Sequence, residues 1–224
     1  MTLNSLDTAK QALLEPAGLD TNALDQVMNQ LAGGVDAADI YLQATRHESW
    51  SLEDGMVKEG SYGIDRGAGI RAVAGEKTGF AYSDEIALPA LLEAARSARA
   101  ITRRGDAGQR QVRVAERPSS LYLPIDPLKS LPEEDKIALL KKLDEECRKL
   151  DPRVEQVFVS LAGSHDVIMV MGQDGAIHSD VRPLVRMNVT VLVEQNGRRE
   201  QGSSGGGGRT GYEYFLEEGR ALGY

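Results

Sequence analysis

Two stretches of this sequence, 36–82 and 154–201, alternate apolar and polar residues with a period of two and are broken only by short turns. Connections that short join antiparallel strands, because a parallel crossover needs about a dozen residues or more. In the first stretch Ile40, Leu42 and Ala44 point one way and Tyr41, Gln43 and Thr45 the other. Residues 50–64 read as strand, turn at Glu53-Asp54-Gly55, strand, and residues 69–73 and 78–82 form a further pair around Gly75-Glu76-Lys77. The second stretch predicts strands over 154–161, 167–171, 176–180 and 185–194. Their turns fall at Gly163-Ser164-His165-Asp166, Gln173-Asp174-Gly175 and Arg182-Pro183, and Asn196-Gly197 folds a last hairpin back into 198–201.

Helical spacing occupies the rest. Leu6, Ala9, Leu13 and Leu14 follow Asn4 and Ser5, and Leu24, Val27, Met28 and Leu31 follow a cap at Thr21 or Asn22. A third helix is expected from Ser83 or Asp84 to Ile101, ending at Arg103-Arg104-Gly105. A fourth is expected behind Ser130-Leu131-Pro132-Glu133, with Ile137, Leu140, Leu143, Cys147 and Leu150 on one face and Cys147 as a core thiol. The order helix, meander, helix, helix, meander predicts an α+β fold, antiparallel β-meanders with helices packed on one face of one sheet or of two related sheets. Residues 1–201 are expected to form the α+β domain, with a possible subdomain break within 105–130, where prolines cluster and periodicity fades. Residues 202–224 then read as a glycine-rich loop and the start of a connection to a further domain.

The composition narrows the function. A formal net charge of −8 argues against a general phosphate-binding surface, so no nucleic-acid partner is expected. No apolar run is long enough to span a membrane, and the polar start Met1-Thr2-Leu3-Asn4-Ser5-Leu6-Asp7 lacks the pattern of a signal peptide, which predicts a cytoplasmic protein. The single cysteine, Cys147, permits no intrachain disulfide. Glycine is in excess, 24 of 224 residues against a usual share of roughly 7%.

Few residues offer chemistry. His47-Glu48 begins like a zinc-binding HExxH helix, but Ser51 stands where the second histidine belongs and the segment alternates like a strand. His165 and His178 have no second ligand at a recognisable spacing. The run Gly75-Glu76-Lys77-Thr78-Gly79 has the wrong order and the wrong flanks for a phosphate-binding loop, and no helix follows Gly67-Ala68-Gly69. Neither a catalytic residue nor a metal ligand is therefore assigned. One cluster remains, Ser203, Ser204, Gly205, Gly206, Gly207, Gly208 and Arg209, read either as a flexible linker or as side-chain-free backbone that an extended peptide can approach closely.

The blocks His47-Glu48-Ser49-Trp50-Ser51-Leu52-Glu53-Asp54-Gly55, Gly67 to Ala72, Gly75 to Tyr82, and Asp180-Val181-Arg182-Pro183-Leu184-Val185-Arg186 leading to Gly205 to Arg209 resemble the N-terminal domain of the TldD metalloprotease family. The resemblance covers essentially the whole chain. It implies a cytoplasmic zinc peptidase, of a group also called modulators of DNA gyrase, acting on unfolded or extended peptides. It implies a heterodimer with a related TldE (PmbA) subunit, with self-association as the other option. The family's HExxxH zinc helix lies in the following domain, so the resemblance places no cofactor in these 224 residues and expects zinc in the full-length protein. The alternative is a stand-alone, non-catalytic binding or regulatory protein of the gyrase-modulator type.

Overall fold

A computed structural model describes residues 4–102 and 121–224, the side chain of Glu218 excepted. Helix α1 (Ser5–Ala9) continues through a π-helical turn (Lys10–Leu14) and a 3-10 turn (Glu15–Ala17) to Gly18. Helix α2 (Thr21–Leu31) is capped by Asp20, whose carboxylate accepts the Ala23 amide at 2.9 Å, one or two residues earlier than the expected Thr21 or Asn22. Strands β1 (Ala37–Glu53), β2 (Met56–Ala74) and β3 (Lys77–Ser83) follow, then helices α3 (Leu88–Thr102) and α4 (Glu133–Leu150), and then β4 (Val154–Gly172), β5 (Ile177–Gln195) and β6 (Arg198–Gly208). Together the strands form one antiparallel sheet in the order β3-β2-β1-β4-β5-β6, so the fold is α+β as expected.

The chain divides into two compact units. The first comprises 1–45, 65–124 and 166–181; the second comprises 46–64, 125–165 and 182–224. Strands β1, β2, β4 and β5 each run from one unit into the other. In the first unit α1, α2 and α3 cover Ile40, Leu42, Ile70, Ala72, Val167 and Met169. In the second, α4 and the C-terminal turns cover Leu52, Val157, Val159, Leu161, Val185 and Met187. The break expected within 105–130 lies largely outside the described residues, as does the helix end expected at Arg103-Arg104-Gly105.

Two expected turns are absent. Gly163-Ser164-His165-Asp166 lies inside β4, and Arg182-Pro183 lies inside β5. In β4 the side chains at these positions have partners: the Arg46 guanidinium lies 2.7 Å from His165 Nδ1, and the Thr45 hydroxyl donates to Asp166 at 2.7 Å. Helix α3 starts later than expected because β3 runs on to Ser83, whose hydroxyl accepts the Glu85 amide at 3.1 Å in a turn. Ser130 does not cap α4. Its hydroxyl donates to the Pro127 carbonyl and accepts the Tyr212 amide, both at 2.7 Å, and the helix begins at Glu133 behind Pro132. The buried face of α4 carries Lys136, Leu139, Leu140, Leu143 and Asp144, whereas Cys147 is half-buried and Leu150 exposed.

The glycine run is a strand rather than a loop. Asn196 and Gly197 both have positive φ, 55° and 80°, the geometry of a two-residue hairpin turn, and they set a register that pairs Gln195 with Arg198 and continues to Val185 with Gly208. Backbone hydrogen bonding to β5 supplies what glycine side chains cannot. No described helix is long and apolar enough to cross a membrane.

Candidate functional site

Strand β6 closes one side of the sheet order, so one of its two hydrogen-bonding edges pairs with no other described strand. Ser203, Ser204 and Gly205 to Gly208 all lie on it, and Arg209 follows directly. Across the ladder Gly205, Gly206, Gly207 and Gly208 oppose Asn188, Met187, Arg186 and Val185. The β5 backbone leaves no room for side chains at Gly205 and Gly207. A β-carbon at Gly205 or Gly207 would run into a β5 carbonyl oxygen, and one at Gly206 into the Tyr224 hydroxyl. Ser203 Oγ lies 2.9 Å from Thr190 Oγ1, so it is part of a cross-strand pair and not a nucleophile beside a base.

The second unit also holds a set of buried and half-buried polar groups. Arg46 and Glu48 share the inward parity of β1. Arg46 bonds Asp126 at 2.9 Å as well as His165. The guanidinium can only donate, so His165 Nδ1 accepts and the ring is neutral there. Lys136, 2% exposed, donates to Glu48 at 2.5 Å and to the Leu128 carbonyl at 2.9 Å, and lies 4.8 Å from the centroid of the Tyr212 ring. Burial first, and then the Glu48 carboxylate, push the Tyr212 phenol far above its ordinary value, so it stays protonated. The ring occupies the space that a β-carbon at Gly163 would need. Tyr212 stands four residues after β6, so its amide bond to Ser130 and its place beside Lys136 fix the course of the chain as it leaves the glycine strand.

These residues do not suit zinc. Among the described residues no group of three or more His, Cys, Asp and Glu side chains is placed to hold a metal ion. His165 faces a guanidinium, Cys147 has a thiol whose pKa burial pushes up, and Glu48 is committed to Lys136. No hydrolytic step is assigned to them. His47, the other half of the apparent HExxH start, has the opposite parity from Glu48 and lies against Gly63. Reading the sequence for motifs missed Arg46, Asp126, Lys136 and Tyr212. The parity shared by Ile40, Leu42, Arg46 and Glu48 was the available sign that two charged residues of β1 face inward.

The described residues thus define a two-unit α+β chain with a glycine-rich edge strand. The model of the PmbA/TldA metallopeptidase domain 1 matches residues 38–102, and that of the PmbA/TldA metallopeptidase central domain matches 126–223. The chain belongs to the TldD/PmbA metallopeptidase family. It is 43% identical over 215 residues to the metalloprotease TldD homolog of Haemophilus influenzae, covering 95% of this chain and 45% of that protein. With the TldD homolog of Buchnera aphidicola subsp. Schizaphis graminum it shares 44% identity over 184 residues, 82% of this chain and 38% of that one. The chain thus spans less than half the length of these relatives. Among solved structures, a proposed modulator of a DNA gyrase from Thermotoga maritima superposes with a TM-score of 0.70 at 17% identity, and TldE from Thermococcus kodakarensis with 0.63 at 15%. Each match covers 84% of this chain and 43% of the other. These two likenesses show the shared fold.

Proposed function

We propose that this chain is the substrate-admitting and subunit-pairing part of a cytoplasmic, TldD-like zinc metallopeptidase that cleaves unfolded or extended peptides. The observation that carries the reading is β6, an edge strand whose last four residues are glycine. Main-chain donors and acceptors on such an edge can bind an extended peptide as an added strand, and the absence of side chains makes that binding tolerant of sequence. The zinc and its ligands belong to the part of the full-length protein outside these residues, and a TldE-like subunit, or a second copy, is the pairing partner.

Strand addition has a signature that side-chain recognition lacks. Methylating the main-chain nitrogens of a substrate peptide at alternate residues removes donors from one edge only. One parity of methylation should raise KM about tenfold or more, since each lost hydrogen bond is worth roughly 1 kcal/mol and the methyl groups also clash. The other parity should leave KM nearly unchanged. Equal sensitivity to both parities, or to neither, refutes the reading. In the full-length enzyme Gly206→Val should impair cleavage with zinc content unchanged.

A further inference from the structure

On its inward side β6 leaves part of β5 uncovered. Val191 and Val193 oppose Gly202 and Glu200 in the ladder and are only half-buried, although Val185, Met187 and Val189 of the same parity are buried. At Gly206 the Tyr224 ring closes that side; around Gly202 no described residue comes within 4 Å of where a β-carbon would stand. The result is a trough of about 420 Å³ bounded by Val191, Val193, Cys147 and Leu150 of α4, Leu222 and the Gly202–Ser204 stretch of the edge strand. Its size is that of a ligand pocket, and two of its walls are large apolar side chains left facing water, Leu150 at 84% and Leu222 at 46% exposure. The charged residues lining it are Glu146 and Asp151, both carboxylates. Each is held ionised by a neighbour outside the lining, Lys149 at 2.9 Å and Arg153 at 2.6 Å.

A strand added beside β6 points alternate side chains to the face on which this trough opens, because the period of a strand is two and neighbouring strands keep their faces aligned. We propose that the trough is a specificity subsite for such a peptide, accepting its alternate side chains when they are apolar and rejecting acidic ones. The apolar walls gain from covering exposed Leu150, Val191 and Val193. An acidic side chain would lose its water against these apolar walls and find no cation among the described lining residues, since Lys149 and Arg153 outside it are already paired with Glu146 and Asp151. The proposal rests on the strand-addition reading above and gives it a substrate class: extended segments with Val, Ile or Leu at every second position.

The test uses the full-length protein with a chelator present, so that cleavage does not consume the probe, and fluorescence anisotropy of labelled heptapeptides Ser-x-Ser-x-Ser-x-Ser. With x as Val the peptide should bind about tenfold tighter than with x as Ser, the scale of one apolar group in a fitting pocket. With x as Glu it should bind no tighter than with Ser. In Leu150→Ser, a change at an exposed position that leaves the core intact, and in Val191→Thr, the Val-to-Ser ratio should fall to about threefold or less. Equal binding of all three peptides, or a valine preference that both variants leave untouched, overturns the subsite while strand addition stands. Binding of none of the peptides removes strand addition, and the subsite with it.

Discussion

Replacing Lys136 with methionine probes the buried layer that anchors the exit from the glycine strand. The Lys136 ammonium lies 2.5 Å from Glu48 and 2.9 Å from the Leu128 carbonyl, with 2% of the residue exposed. At an effective dielectric of about 20, opposite unit charges at this separation attract by about 6–7 kcal/mol before desolvation. Removing both ions from water takes back most of that, so the intact pair adds little net stability. Losing one partner is a different matter. Glu48 is left as a buried carboxylate without a cation, a cost of about 3–5 kcal/mol, and the Leu128 carbonyl loses its donor for about 1 kcal/mol more. With about 2–4 °C of melting temperature per kcal/mol in a chain of this size, Lys136→Met should lower the unfolding midpoint by about 10–20 °C in thermal melts followed by circular dichroism. Glu48→Leu combined with Lys136→Met should recover most of the loss, because an apolar pair of similar volume replaces the ions without leaving an unpaired charge. A single variant within about 1 kcal/mol of wild type, or a double variant no more stable than the single, would refute the claim that this pair is buried and mutually dependent.

Two further outcomes follow from neighbouring geometry. Gly163→Ala would place a methyl group where the Tyr212 hydroxyl and Leu128 already lie, so urea unfolding should show a loss of about 1–3 kcal/mol; an alanine variant as stable as wild type would mean that Tyr212 does not occupy this space. Asp151 has a carboxyl pKa lowered from 3.8 to about 2, chiefly by its side-chain bonds to Arg153. Because the folded-state value lies below the unfolded one, its contribution is fully present above about pH 4 and is lost as pH falls toward 2. Carbon-detected NMR titration should return that low midpoint in wild type and a higher one, still below 3.8, in Arg153→Ala, which loses the guanidinium but keeps the backbone N–H bond to Asp151; no change on removing the guanidinium would refute the assignment.

The antiparallel meanders were legible because parity survives along whole strands. Ile40, Leu42 and Leu52 keep the same inward phase over β1, and the short turns at Asp54-Gly55, Gly75 and Asn196-Gly197 stand where the pattern puts them, with positive φ at each of these residues. The candidate site was legible only as composition. Four consecutive glycines carry no periodic signal, so their conformation is set by the hairpin at Asn196-Gly197 and by β5, whose alternating Val185, Met187 and Val189 define a ladder that the glycines complete. Lys136 was hidden for a related reason. A lysine on an acidic, charge-rich helix reads as solvated, and its burial follows from a partner, Glu48, 88 positions away in sequence.

The turns that the structure lacks are informative about how the sheet is built. His165 and Asp166 straddle the passage of β4 from the second unit to the first, Val181 and Arg182 that of β5 from the first to the second, and Thr45 and Arg46 that of β1. In β5 the inward positions there, Val181 and Pro183, are buried and apolar, whereas in β4 and β1 they include His165 and Arg46. Polar residues can occupy them if they find partners, and His165 and Arg46 find each other. A short apolar run, a polar step and a second apolar run therefore imitate two strands joined by a turn, when the physical object is one strand serving two cores. The distinction bears on function. If 163–166 were a turn, Gly163 would have no reason to leave room for Tyr212, and nothing would tie the course of the chain after β6 to the interior of the second unit. As one continuous strand, β4 carries Gly163 and His165 inward together, and Tyr212, four residues past the glycine edge, fills the space beside Gly163.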